Sequence, residues 1–191
     1  MARTMPAISA RATLLPASPI RRLAPYAAAA RERGVKVYQL NIGQPDLPLP
    51  GALKEAILGT DLNYLAYTPS DGEPATREAI AAFYRSRGFE KSKASDVICT
   101  NGGSEALLLA FLTMCDPGDE IICPEPLYAN YVTLALLAGV VIKGVPTSAA
   151  DGYRLPSTEA LRAAVSPRTR GILWSSPSNP TGCVYTLDEL R

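Results

Sequence analysis

Histidine is missing from all 191 residues. Without it the chain cannot assemble a Ser-His-Asp or Cys-His constellation of its own. Any acid–base work falls to another group, to a cofactor or to residues outside the chain. Cysteine is scarce. Cys99, Cys115, Cys123 and Cys183 form no C-x-x-C pair, and no compact set of zinc ligands exists. Reduced, mostly buried thiols of a cytoplasmic protein are expected. Charge of one sign is lacking too. Lys plus Arg number 19 against 18 Asp plus Glu, a net +1, which points to no nucleic-acid partner. No apolar run has the length and purity of a membrane span. The dinucleotide pattern G-x-G-x-x-G and the P-loop Gly-Lys-Ser/Thr are both absent, so a bound phosphate would belong to neither a dinucleotide nor ATP.

What is present is apolar residues, 47% of the chain, enough for one sizeable core. The first acid is Glu32, preceded by Arg3, Arg11, Arg21, Arg22 and Arg31. This faintly resembles an organelle transit segment, but reads better as a mobile arm leading into a helix. "SPIRRLAPYAAAARERG" supplies that helix, with Ser18 at the N-cap, Pro19 in the first turn and Gly34 past the end. "VKVYQLNIG" predicts a short strand, "LPGALKEAILG" a helix closed by Gly59, and "YTPSDGEP" a loop. "PATREAIAAFYRSRG" predicts an amphipathic helix with Ala79, Ile80, Phe83 and Tyr84 on one face.

From Asp96 strand and helix alternate. "DVICT", "EIICP", "VVIKGVP" and "GILWSS" read as strands. "GGSEALLLAFLTMC", "LYANYVTLALLAG" and "STEALRAAV" read as helices between them. "TLDELR" opens a further helix, with Thr186 and Glu189 forming a capping box. Continuous apolar strands alternating with helices predict a buried, mostly parallel sheet in a three-layer α/β/α arrangement. A helix started and then cut at Arg191 suggests a piece of something longer.

Three turns carry chemistry. In "DVICTNGGSEALLLAF" a strand passes through Gly102, Gly103 and Ser104 into a helix. First-turn N–H groups and the positive end of the helix dipole favour an anion, by roughly 0.3–2 kcal/mol for the dipole alone. Glycine permits close approach, and Ser104 adds a hydroxyl. A plain strand–helix turn explains the same residues equally well. In "PEPLYANY", Tyr128 opens a helix where a sheet collects ligands and can stack on a flat ring, whereas Tyr131 reads as a core aromatic. In "SSPSNPTG", Pro177 and Pro180 forbid helix. They hold Asn179 with its amide pointing out of the sheet, where it would favour an ionised oxygen on a ligand. An ordinary Asn-Pro-Thr-Gly turn is the alternative. A phosphate, a planar ring and a ring oxygen together describe pyridoxal 5′-phosphate.

These three motifs, with "NIGQPDLPLP" and "YTPSDGEPATREAIAAFY" upstream, resemble the class I/II aminotransferases of the fold-type I pyridoxal-phosphate enzymes, from about Ile20 to Arg191. The resemblance implies that Gly102, Gly103 and Ser104 hold the cofactor phosphate and that Tyr128 stacks on its ring. It gives Asn179 the ring oxygen and a share of the substrate carboxylate. Gly43 lies at substrate entry, and Tyr67 reaches the phosphate of the neighbouring subunit, so a homodimer is implied. Ala75 departs from the family's "GxPxLR", where a larger residue stands. Residues 1–45 would form the arm, helix and first strand of the small-domain region, and 46–191 a truncated cofactor-binding large domain. The family's Schiff-base lysine, its acid for the pyridine nitrogen and its arginine for the α-carboxylate are expected after Arg191. Lys36, Lys54, Lys91, Lys93 and Lys143 read as structural or solvated, so this chain alone is expected to be inactive.

The implied reaction exchanges the amino group of an amino acid with a 2-oxo acid. A carbon–sulfur lyase of the same fold, or a non-catalytic domain binding a phosphorylated ligand, are the alternatives. A transcription regulator would need an upstream winged helix, for which about thirty residues leave no room.

Overall fold

Six residues, Glu120–Glu125, form the innermost strand, β1, and four in a row along it are buried. In this computed structural model, residues 7–15, 18, 21–41, 43, 45–60 and 66–191 are described. Two flanking strands, β2 (Val141–Pro146) and β3 (Thr169–Ile172), complete a parallel sheet of order β2-β1-β3. Glu120 through Glu125 align with Val141 through Pro146. On the other side Glu120 faces Thr169, the register slips, and Ile121 and Ile122 face Gly171 and Ile172. A strand paired on both sides and covered on its faces has no use for polar alternation, which is why "EIICP" is an unbroken apolar run.

The helices in chain order are α1 (Ala10–Leu14), α2 (Ala24–Glu32), α3 (Gly51–Leu58), α4 (Pro74–Ser86), α5 (Gly102–Met114), α6 (Ala129–Ala138) and α7 (Thr158–Ala164). Their ends follow local chemistry. Ser157 caps α7 by accepting from the Ala160 N–H. Gly139, at φ 78°, closes α6 in the left-handed conformation. Ser18 caps a 3₁₀ turn over Arg21–Leu23 that leads into α2; Pro19 lies outside the described residues.

The chain divides into two compact units. One takes the described residues up to Arg22 together with Asn101–Arg191; the other is Leu23–Thr100. In the first, Phe111 of α5, Ile121 of β1, Ala135 and Ala138 of α6 and Val140 form the core, flanked by Leu108, Cys115, Leu134, Ile142 and Leu173. Burying Ile122 completely contributes about 1.5–3 kcal/mol.

The N-terminal edge of the sheet is fastened by charge. Buried Asp119 accepts from Arg170 Nε at 2.6 Å and from the Asp116 N–H at 2.9 Å. The Glu120 carboxylate accepts from Ser166 Oγ at 2.6 Å and Lys143 Nζ at 3.2 Å. These bonds hold both carboxyls below the usual carboxylate range, Asp119 chiefly through Arg170 and Glu120 chiefly through Ser166.

Several sequence expectations are corrected. Residues 97–100 ("VICT") and 35–41 lie in no ladder; the Cys99 N–H is bonded to the Asp71 carbonyl instead. Extended backbone becomes a strand only when a second segment lies beside it, and these runs have none among the described residues. "GILWSS" pairs earlier than expected, over Thr169–Ile172. In "TLDELR" the capping box forms, with the Thr186 N–H on Glu189 Oε2 at 2.8 Å and the Glu189 N–H on Thr186 Oγ1 at 3.3 Å, but it caps a single turn. On α4 the buried residue is Ala81, while Phe83 and Tyr84 are exposed and meet edge to face. All four cysteines are free, and only Cys123 is fully buried. Among the described residues no helix is long and apolar enough to cross a membrane.

Candidate functional site

Parallel strands deliver their C-terminal ends to one edge of a sheet, and ligands of α/β proteins bind there. The end of β1 runs through Pro126 and Leu127 to Tyr128, the N-cap of α6. The end of β3 runs through Leu173, whose N–H bonds the Ile122 carbonyl at 2.8 Å, to Trp174, Ser175 and the turn carrying Asn179. Both turns line one narrow cleft, walled by Pro124, Pro126, Leu127, Tyr131, Trp174 and Asn179 and floored by Cys123 and Tyr185. With a cavity volume of about 10 Å³ it is nearly closed, far below the ~300–1,000 Å³ of small-molecule pockets. A planar ligand would lie on its rim.

α5 reaches the same edge by length. Its last turn packs with Phe111 and Cys115 among Ile121, Ala138 and Val140, close to the start of β1. Its 13 residues rise about 20 Å, and the six of β1 span about 20 Å. The helix therefore begins level with the C-terminal end of the strand. α6 runs the same way, closing at Gly139 beside Pro117. The segment leading into α6 thus shares the edge with the Asn179 turn.

Gly102 has φ +77°, a left-handed backbone that suits glycine, and a side-chain carbon at Gly102 or Gly103 would meet nothing within 4 Å. Gly102, Gly103 and Ser104 are exposed at the opening turn of α5. Glu105 turns back to accept the Asn101 N–H. Tyr128 is half-buried; its ring stands edge to face on Tyr131, centroids 5.5 Å apart, and its hydroxyl accepts from Asn130 Nδ2 at 3.0 Å. Tyr131 is buried, the core role expected of it. Asn179 is exposed, and its backbone N–H bonds Ser175 Oγ at 3.3 Å. Under it the Cys123 thiol is pushed up to about 11 by burial and then by Glu125, so it is a protonated floor rather than a nucleophile.

Gly43 and Tyr67 belong to the Leu23–Thr100 unit. Tyr67 is fully exposed, and Gly43 has open space where a side chain would stand. The lysines are engaged or solvated. Lys143 is ion-paired to Glu120 at the opposite end of the strands, Lys36 lies 4.8 Å over the Tyr38 ring, and Lys54, Lys91 and Lys93 are exposed. Sequence reasoning missed Trp174 and Tyr185 as lining residues of the cleft. It also missed Arg154, which bonds Glu189 across 35 positions. No local pattern signals a contact of that span, although the capping box marked Glu189.

A parallel sheet flanked by helices places the chain in the α/β class, and solved aminotransferases share this fold. The aspartate aminotransferase of Thermus thermophilus superposes with a TM-score of 0.88 at 35% identity, over 97% of this chain and 49% of that one. An alanine aminotransferase from Pyrococcus furiosus gives 0.89 at 31% identity, over 96% of this chain and 47% of that one. Among curated proteins, an aspartate aminotransferase of Streptomyces avermitilis is 39% identical over 187 residues, 96% of this chain and 45% of the relative. The family "Aminotransferase class I and II" matches residues 35–191, and the chain belongs to it. It spans a little under half the length of these relatives. Membership implies a pyridoxal 5′-phosphate cofactor, as the donor set at the sheet edge would suit.

Proposed function

We propose that the chain is the N-terminal, cofactor-binding part of an aminotransferase that moves an amino group between an amino acid and a 2-oxo acid. What supports this is the family match over residues 35–191, together with the cleft shared by the segment leading into α6 and the Asn179 turn. Pyridoxal 5′-phosphate would supply the electron sink for bond breaking at the amino acid's α-carbon. The first-turn amides at Gly102, Gly103 and Ser104, with the Ser104 hydroxyl, would donate to its phosphate. The Tyr128 ring would pack on its pyridine. The Asn179 amide would donate to the ring oxygen, favour its ionised form, and help orient the substrate carboxylate. Gly43 would leave room for substrate, and Tyr67 would reach the phosphate site of a second subunit in a homodimer. Full exposure of Tyr67 suits such a reach. Residues 1–45 would serve the small-domain region and 46–191 the large domain, in a cytoplasmic enzyme whose thiols stay free.

The lysine that anchors the cofactor covalently would come from outside residues 1–191. Lys143, the one lysine in the sheet, is tied to Glu120 at the far edge. Residues 1–191 alone would then not transaminate. In the whole protein, Asn179→Ala should weaken pyridoxal 5′-phosphate binding about fivefold, the value of one oriented hydrogen bond. Amino transfer should depend on 2-oxoglutarate or another oxo acid. Pyruvate release without an oxo acid would instead make it a lyase. Unchanged affinity in both Tyr128→Ala and Asn179→Ala would leave only a phosphate-binding domain.

A further inference from the structure

The turn that carries Asn179 is shaped from within and gripped from without. Inside it, the Gly182 N–H bonds the Ser178 carbonyl at 2.7 Å, the Ser178 N–H bonds the Cys183 carbonyl at 2.8 Å, and the Tyr185 N–H bonds Ser176 Oγ at 3.2 Å. These bonds fold the turn on itself but fix it to nothing else. The outer grip is Arg154. Its Nε donates to Glu189 Oε1 at 2.8 Å, its Nη2 to Glu189 Oε2, and its Nη1 to the Val184 carbonyl at 3.0 Å. Glu189 Oε2 also accepts the N–H and hydroxyl of Thr186, at 2.8 and 2.9 Å. One guanidinium therefore ties the descending arm of the turn to the segment after β2. A planar fork on a carboxylate fixes direction as well as distance, which a lysine would not do.

The backbone behind Arg154 is set for this task. Tyr153 has φ +59°, the one non-glycine residue with positive φ among those described, and it follows Gly152 at φ +66°. A bulky residue in the left-handed region is strained, and persists where surrounding contacts over-determine it. The Tyr153 N–H is anchored on the Ser148 carbonyl at 2.8 Å.

We infer that Arg154 and Glu189 are positioning residues for Asn179, holding its turn so that the amide stays at the sheet edge when the cofactor arrives. The inference rests on the proposed function, because only a ligand there gives the grip a purpose. It is tested in the whole protein by pyridoxal 5′-phosphate titration and by amide hydrogen exchange without cofactor. Arg154→Met should weaken binding about fivefold and add nothing in an Asn179→Ala background. Exchange at Ser178, Gly182, Cys183 and Tyr185 should quicken while β1 amides keep their rates. The swapped pair Arg154→Glu with Glu189→Arg should restore much of both. Should Arg154→Met fail to fold, Arg154→Lys and Glu189→Gln are read by the same criteria. Unchanged binding in these variants overturns the inference. So does a loss that persists in full beside Asn179→Ala, or equal quickening in β1, each of which marks a general stabiliser. Asn179→Ala with unchanged affinity, by contrast, removes the proposed role of Asn179 itself, and the exchange pattern of the clamp remains separately readable.

Discussion

The two units of the chain treat their apolar residues in opposite ways. From Asn101 onward, Phe111, Ile121, Ile122, Tyr131, Ala135 and Val145 disappear into a sheet-and-helix core. Among the described residues of Leu23–Thr100 only Ala81 of the apolar ones is buried, while Leu40 is 96% exposed and Tyr38, Leu47, Leu58 and Tyr67 stand out in the same way. Both stretches are rich in Leu, Tyr and Ala, so composition does not distinguish them. The difference is topological: three strands give the later stretch a surface to pack against, and the described residues of the earlier one contain none. Exposed apolar area on this scale is what a segment offers to another surface, which agrees with the proposed homodimer.

The contrast can be broken at its strongest point first. Ile122→Ala removes a completely buried side chain from the central strand, and should cost about 2–5 kcal/mol in denaturant-induced unfolding of this chain. A loss no greater than that of an exposed leucine would dissolve the distinction between the units. Next comes the tightest of the described glycines in the earlier unit. Gly72 has φ +104°, and a side-chain carbon there would come within 2.5 Å of Cys99 Sγ. Gly72→Ala should cost about 1–3 kcal/mol, read from the same unfolding curve. A neutral result would show that this loop relaxes freely.

Acid should weaken the later unit through its fastened edge. Asp119 and Glu120 have folded pKa values lowered from the ordinary ~4. The stabilisation is therefore complete above about pH 4–5 and is lost as pH falls through the lowered values. Asp119→Asn should lower stability at neutral pH and flatten its decline below pH 4. A variant with the same acid slope as the parent would separate these carboxylates from acid unfolding. The smallest effect belongs to Leu58→Ala, in a helix with no buried residue, which should change the stability of this chain by no more than about 0.5 kcal/mol. A loss of several kcal/mol would reveal packing in the earlier unit.

Much of the later unit was legible because its signals are local. Largely apolar runs marked β1 and β2 within a residue, and the Thr186–Glu189 box formed as read. What escaped was non-local. Residues 97–100 look like a strand in isolation, yet pairing depends on a partner that sequence spacing does not specify. The cleft was legible at Asn179, which stands beside Pro180. Trp174 and Tyr185 were not, because each resembles an ordinary strand residue until the turn folds over. Arg154 was hidden for the same reason: its partner lies 35 positions away and nothing near it announces a salt bridge.

The pairing of Glu120 with Thr169 has a temporal side as well. A chain leaves the ribosome in order, at about 5–20 residues per second, so β1 waits roughly 2–10 s before β3 exists to cover its second edge. During that wait Ile121, Ile122 and Cys123 offer an open, apolar template to any neighbouring nascent chain. Crowded, rapid expression should therefore endanger this protein most in that interval, and slower synthesis or a bound chaperone should raise the soluble yield.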